Sequence, residues 1–108
     1  MSDLILIYIT CNDEAEARKI GTHLLKKRLS GCINIINGMN SVYWWPPKAG
    51  QLEEGKETIL IVKTIRSKFD EIEKEVIGIH SSDTPCLIAI PTVAVAQKYA
   101  DWIKGEIG

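Results

Sequence analysis

The order of strand-like and helix-like segments is the feature that most restricts what this chain can fold into. Apolar runs rich in β-branched residues alternate with amphipathic segments of helical period, in the order β-α-β-β-α-β-α. The predicted strands lie at 4–10, 32–45, 52–64 and 86–90, and the predicted helices at 13–30, 67–79 and 95–103. Two prolines in 46–50 predict a loop between the second and third strands, because proline cannot continue a ladder.

This order predicts an α+β fold. One strand-helix-strand unit repeated twice, with right-handed crossovers, gives a four-stranded antiparallel sheet with two helices on one face. That arrangement is the ferredoxin-like split βαβ fold, here followed by a C-terminal helix. No linker or repeat interrupts the 108 residues, so 1–108 are expected to form a single domain.

Local signals predict the helix ends and the core. Asp13 with Glu16, and Ser67 with Asp70, have the spacing of a capping box, while Gly31 is expected to end the first helix. A bulge or bend is expected near Gly38. The apolar positions predicted to face the interface between sheet and helices are Ile5, Ile7, Ile9, Ile20, Leu24, Ile35, Leu60, Val62, Ile72, Val76 and Ile88.

Charge and hydropathy argue against two classes of partner. The chain has 13 Lys and Arg against 14 Asp and Glu, a net charge of −1, without the basic excess typical of a nucleic-acid binder. No apolar run approaches the roughly 18–20 residues of a membrane span. The start Met1-Ser2-Asp3 lacks the basic lead of a secretory signal. We therefore expect a cytoplasmic protein that binds neither nucleic acid nor a membrane.

Few residues carry candidate chemistry. The sequence has no phosphate-binding loop, HExxH or Gly-x-Ser-x-Gly motif, so no catalytic activity is predicted. His80 directly follows the second predicted helix, where the helix dipole favours a cationic ring, and imidazole is also a common metal ligand. Both roles are open. Cys32 and Cys86 are interpreted as small buried hydrophobes, whereas Cys11 stands at a strand end, where side chains become accessible.

The length of the middle strands predicts association. Strands of about thirteen residues span roughly 43 Å, whereas a domain of this size is only about 34 Å across. The hairpin between 33 and 64 must therefore project, bend at Gly38, or both. Successive residues Trp44 and Trp45 point to opposite faces and cannot both be in the core. A projecting apolar edge is stabilised when another subunit pairs with it, and closed rotation gives a trimer.

Motifs along the chain resemble the CutA divalent-cation tolerance family. They are Thr10-Cys11-Asn12-Asp13, Leu29-Ser30-Gly31-Cys32-Ile33-Asn34-Ile35, Gly38, Ser41-Val42-Tyr43-Trp44-Trp45, Glu57 with Lys63-Thr64, His80 with Pro85, and Tyr99 with Trp102. Each motif is weak alone, but they cover nearly the whole chain in order. The resemblance implies a ferredoxin-like domain in a tight homotrimer, linked to divalent metal (copper) tolerance. It also implies no established catalytic activity, and an architecture similar to the PII signalling proteins.

Two stretches depart from the family pattern. The family's His-Pro-Tyr-Glu-x-Pro corresponds here to His80-Ser81-Ser82-Asp83-Thr84-Pro85, and its short Trp-x-Gly turn is widened by three residues to Trp45-Pro46-Pro47-Lys48-Ala49-Gly50. Of the family's copper-coordinating pattern only His80 carries over, since Ile9 matches the strand-end cysteine and Cys11 lies two residues on. The stretches 80–85 and 45–50 both lie where the inter-subunit cleft of the family is expected.

The residues and the resemblance together predict a metal-binding homotrimer. The site is expected where the loop from His80 to Pro85 meets the hairpin of a neighbouring subunit. His80 is the predicted ligand for copper or another divalent cation, with Cys11 and Asp83 as supplements. The residues predicted to line the cleft are Trp45, Glu57 and Lys63.

Two other functions compete with this one. A PII-like signalling module would bind a small anionic ligand in the same cleft and report it to a partner protein. An acylphosphatase-like enzyme is disfavoured, because it needs an arginine-bearing anion loop after the first strand. Cys11-Asn12-Asp13 supplies an acid there instead.

Overall fold

The structure is a computed structural model that describes residues 2–108. Its strands are β1 (Leu4–Cys11), β2 (Cys32–Trp44), β3 (Leu52–Ile65) and β4 (Leu87–Pro91). Its helices are α1 (Glu14–Lys26), α2 (Phe69–Ile79) and α3 (Gln97–Glu106), with a short 3₁₀ turn at Arg66–Lys68. No helix within 2–108 is long and apolar enough to cross a membrane.

The sheet has the strand order β2-β3-β1-β4, and every neighbouring pair is antiparallel. The predicted ferredoxin-like fold is therefore confirmed. Helices α1 and α2 cover one face, because their apolar stripes pack against alternate residues of β1 and β3. Helix α3 packs on one end of the other face, where Ala100 and Ile103 meet Leu4.

Most of the predicted core is buried against α1 and α2. The buried residues are Ile5, Ile7, Ile9, Ile20, Leu24, Leu60, Val62, Ile72 and Val76, with Ile35 partly buried beside them. The prediction for Ile88 is wrong, since 54% of it is exposed. Ile88 pairs with Tyr8 and shares its face of the sheet, whereas its neighbour Leu87 pairs with Ile9 and packs against the core.

The sequence predicts the start of α1 correctly and its end incorrectly. Asp13 is the N-cap, and its Oδ1 accepts a hydrogen bond from the Glu16 N–H at 2.8 Å, as expected. The expected end at Gly31 is wrong, because α1 ends at Lys26 and Arg28 takes the left-handed conformation with φ of 59°. The N–H of Leu29 bonds to the carbonyl of Leu24 at 3.0 Å, which closes a Schellman motif over buried Leu29.

The predicted cap of α2 at Ser67 is also wrong. Ser67 lies inside the 3₁₀ turn, so it lacks the extended backbone that an N-cap side chain needs. Lys68 precedes α2 instead, without a side-chain cap.

The hairpin of β2 and β3 projects from the domain. The molecule measures 46 × 27 × 24 Å, as expected from strands of 13 and 14 residues. The predicted irregularity is confirmed by a register shift between Ile36 and Met39, with Gly38 at φ of 81°. The far end of the hairpin exposes large apolar side chains, including Val42, Trp44 and Leu52.

Candidate functional site

A groove of about 690 Å³ lies between the projecting hairpin and the loop that follows α2. The hairpin contributes residues 39–43 of β2 together with Trp45 and Glu57, and β1 contributes residues at its carboxyl end. The side chains from β1, the hairpin and the loop that line it include Tyr8, Thr10, Met39, Tyr43, Trp45, Glu57, His80, Ser82 and Cys86. The sequence prediction that Trp44 and Trp45 cannot both be in the core is confirmed, since they are 68% and 41% exposed.

His80 fastens the loop to β1 through both ring nitrogens. It is the C-cap of α2, and its Nε2 lies 2.8 Å from the carbonyl oxygen of Thr10. A carbonyl only accepts, so Nε2 carries the proton, and Nδ1 accepts from the Ser82 N–H at 3.0 Å. This pattern fixes the neutral tautomer of the ring and leaves neither nitrogen idle.

Glu16 also holds this loop in place. Its spacing from Asp13 in the sequence predicted only a role at the start of α1. Its Oε1 accepts from the Asn12 N–H and its Oε2 from the Ser81 N–H, each at 2.8 Å. Burial raises the pKa of Glu16, but the hydrogen bonds from Asn12 and Ser81, with a smaller contribution from His80, outweigh burial and hold it below its usual value. Glu16 therefore stays ionised and ties the β1–α1 turn to the loop after α2.

Cys11 lies behind these two residues and is fully buried. Burial raises the pKa of its thiol to about 12, and the carboxylates of Glu16, Asp13 and Glu57 add to that rise. The thiol is therefore protonated at neutral pH. One donor atom from each of Cys11, Glu16 and His80 lies within 4.8 Å of the other two.

The remaining predicted site residues occupy three different places. Trp45 and Glu57 line the groove together with His80. Asp83 is exposed on the loop, where its Oδ1 accepts from the Thr84 hydroxyl at 3.3 Å. Lys63 lies outside the groove, because its Nζ sits 3.2 Å from the Tyr99 hydroxyl and over the ring of that tyrosine.

The fold and this cluster define a class of protein: a ferredoxin-like α+β fold with a thiol, a carboxylate and an imidazole gathered beside a groove at one end of its sheet. Residues 5–106 match the family model of the CutA1 divalent ion tolerance protein, and the chain belongs to that family. The sequence-based recognition of the family is thus confirmed.

Individual relatives agree with the family match over most of the chain. The divalent-cation tolerance protein CutA of Archaeoglobus fulgidus is 41% identical over 101 residues, covering 94% of this chain and 95% of that protein. The solved structure of that organism's periplasmic CutA superposes with a TM-score of 0.91 at 38% identity, covering 97% of this chain and 99% of the other.

A plant relative matches over only part of its own length. The chloroplastic protein CutA 1 of Oryza sativa is 32% identical over 94% of this chain, which spans 56% of that protein. Relatives are thus named for the periplasm and the chloroplast. The cytoplasmic location expected from the sequence stays a prediction.

Proposed function

We propose that residues 1–108 form one domain of a homotrimer that acts in divalent-cation tolerance by binding copper or another divalent cation beside the groove. The observation that carries this proposal is the approach of Cys11, Glu16 and His80 donor atoms to within 4.8 Å of one another. A thiol, a carboxylate and an imidazole together suit a borderline ion such as copper or zinc. The proposal includes no catalytic step.

Cation binding at this cluster requires the loss of one proton and of at least one hydrogen bond. Cys11 must lose the proton that its raised pKa of about 12 otherwise retains. His80 must give up either its bond to Thr10 or the one from Ser82 before a ring nitrogen can bind a metal. We therefore expect modest affinity that rises with pH, because the ligands bind metal only when deprotonated.

The exposed apolar surface supports the trimer. Ile36, Ile88 and Ile90 are 47%, 54% and 44% exposed on the face of the sheet opposite α1 and α2. Val42, Trp44 and Leu52 are exposed on the other side of the projecting hairpin, so the chain exposes more apolar surface than single scattered side chains, which is typical of an interface. A neighbouring hairpin that pairs at this surface would turn the groove into the predicted inter-subunit cleft.

An inter-subunit cleft would bring together predicted site residues that lie apart within one chain. Trp45 and Glu57 line the groove of their own chain, whereas Lys63 reaches a cleft only as a contribution from a neighbouring subunit. Asp83, on the exposed loop, is proposed as a supplementary ligand of the cation. A further protein partner stays a prediction.

The groove argues against the alternative PII-like function. An anionic ligand requires basic side chains, yet the lining that one chain supplies within residues 2–108 includes the Glu57 carboxylate and neither lysine nor arginine, so such a ligand would depend on Lys63 of a neighbouring subunit. The divalent cation is therefore the better supported ligand.

The test is calorimetric titration of the trimer with Cu²⁺ and Zn²⁺, comparing the native chain with Cys11→Ser, His80→Ala and Glu16→Gln. Saturable binding that each variant weakens supports the site, and Asp83→Asn shows whether that carboxylate supplements it. The matched control is Glu73→Gln, an exposed carboxylate on α2 remote from the cluster. If all variants that remain trimeric bind copper as the native chain does, the metal-site assignment is wrong.

A further inference from the structure

The loop 81–85, between α2 and β4, hangs on hydrogen bonds to the same side chains that form the proposed cation cluster. Within residues 2–108, two hydrogen bonds join this loop to earlier residues. The Ser81 N–H donates to the Glu16 Oε2 at 2.8 Å, and the Ser82 N–H donates to the His80 Nδ1 at 3.0 Å. Glu16 and His80 both belong to the cluster, so a cation there acts directly on the attachment of the loop.

Glu16 can bind a cation and still hold the loop. An ionised carboxylate offers about four lone pairs on its two oxygens. The Oε1 of Glu16 accepts from the Asn12 N–H and its Oε2 from the Ser81 N–H, so each oxygen keeps a lone pair for a cation. The attachment at Ser81 therefore survives cation binding.

His80 cannot bind a cation and keep its bond to the loop. A neutral imidazole has one N–H and one ring lone pair, and here Nε2 donates to the Thr10 carbonyl while Nδ1 accepts from the Ser82 N–H. A cation at Nδ1 takes the lone pair that Ser82 uses. A cation at Nε2 requires the ring proton to be on Nδ1, because a metal-bound histidine carries its proton on the other nitrogen. Nδ1 is then a donor and no longer accepts, so the Ser82 N–H loses its acceptor in both cases.

We propose that cation binding at the cluster releases the Ser82 N–H and loosens residues 82–85, so that the groove changes shape with cation occupancy. Ser82, Thr84 and Pro85 line the groove, and their movement alters it directly. This inference rests on the proposed cation site and adds a response to it. By linkage, a molecule that holds the loop in its present position weakens cation binding by the same factor by which the cation weakens that molecule.

The test measures solvent exchange of single amide groups by NMR, on the full-length protein at fixed pH, with and without saturating Zn²⁺. We expect the Ser82 amide to exchange about tenfold faster or more with zinc, because it loses its acceptor. The Ser81 amide is the control within the same loop, and its rate should change by less than about twofold, because Glu16 still binds it. The ¹⁵N shifts of the His80 ring show which nitrogen binds zinc.

The outcomes separate this inference from the cation site itself. If the His80 ring responds to zinc while the Ser82 amide stays protected, the site stands and the loop response is wrong. If the Ser81 amide accelerates as much as that of Ser82, the assignment of the response to the His80 bond is wrong. If zinc does not bind at all, the proposed function fails and this inference fails with it. The matched variant is His23→Ala, whose ring lies 2.7 Å from Glu75 on the helical layer, and it should leave the Ser82 response unchanged.

A pair of variants tests the same linkage in the opposite direction. Ser82→Pro removes both the N–H and the hydroxyl, whereas Ser82→Ala removes only the hydroxyl. Ser82→Pro has no bond to lose, so by calorimetry it should bind Zn²⁺ about threefold or more tightly than Ser82→Ala. Equal affinities, or weaker binding by Ser82→Pro, would contradict the proposal. Light scattering on both variants excludes a change of assembly as the cause.

Discussion

At the scale of single residues, the loop after α2 is held by side chains that bond to backbone groups. His80 joins Thr10 to Ser82, and Glu16 joins Asn12 to Ser81. Charged acceptors make stronger hydrogen bonds than neutral ones. The hydrogen bonds to the Glu16 carboxylate are therefore expected to hold the loop more strongly than those of His80. The shape of the groove therefore depends on a residue that does not line it.

The first prediction concerns Glu16. Glu16→Gln should lower the free energy of unfolding by about 1–3 kcal/mol, because an amide replaces a carboxylate that accepts two backbone hydrogen bonds. Urea denaturation at fixed chain concentration measures the change. Glu73→Gln, on the exposed face of α2, should change stability by less than about 0.5 kcal/mol.

The same carboxylate predicts a dependence on acid pH. The pKa of Glu16 is lower in the folded chain than its usual 4.5, so its contribution is complete above that value and is lost as pH falls through the lowered pKa. Between about pH 5 and pH 3 the native chain should therefore lose stability more steeply than Glu16→Gln. Parallel curves for the two proteins would contradict this reading of Glu16.

A third prediction concerns the thiols. Cys11 is fully buried with a pKa of about 12, whereas Cys32 and Cys86 are partly accessible. Because the thiolate is the reactive form, alkylation by iodoacetamide at pH 8 should reach Cys11 last and only slowly. Peptide mass spectrometry after timed quenching gives the order, and denatured protein is the control in which all three should react alike.

At the scale of strands and helices, the local signals predict the elements themselves and one cap, whereas the equally local signals at Ser67 and Gly31 are wrong. The period of apolar residues located every strand and helix, and Asp13 caps α1 as its spacing indicates. The error at Ile88 is a shift of one residue, which in a strand of period two moves a side chain to the opposite face. A five-residue strand between two prolines offers too little alternation to settle that choice.

Nonlocal contacts account for what the sequence did not predict at the site and at the end of α1. The Glu16–Ser81 bond joins residues 65 positions apart, and both bonds of His80 involve backbone groups that carry no sequence signal. Arg28 tolerates its positive φ where a side chain is usually strained, and its guanidinium bonds to Glu106 at 2.6 Å. Such partners become visible only once the chain is folded.

The glycines of the hairpin and of α2 give a matched prediction. Gly38 has φ of 81° and Gly78 lies in α2, and a Cβ at either would meet nothing within 4 Å. Gly38→Ala should destabilise by about 1–2 kcal/mol because the left-handed region disfavours a side chain. Gly78→Ala should stabilise by about 0.5–1 kcal/mol because alanine favours the helix. Thermal unfolding of both variants at one concentration measures the opposite signs.

At the scale of the whole molecule, the 46 Å length and the exposed apolar hairpin both follow from the length of strands β2 and β3. β2 is an edge strand of 13 residues, long enough to leave many backbone groups unpaired in a single chain. The proposed closed trimer would cover both the edge and the apolar side chains, and the charge of −1 offers little repulsion against association.

Light scattering should therefore give a mass about three times the 12.1 kDa of the chain at micromolar concentration. Val42→Glu should shift that mass toward the single chain, because Val42 is 60% exposed on the hairpin and a charge there would be desolvated in the trimer. Ile77→Glu is the control: Ile77 is 54% exposed on α2, on the helical layer opposite the open face of the sheet. A 12 kDa species from the native chain would rule out the trimer. If Val42→Glu stays trimeric, or if Ile77→Glu dissociates to the same extent, the assignment of the interface to the hairpin is wrong.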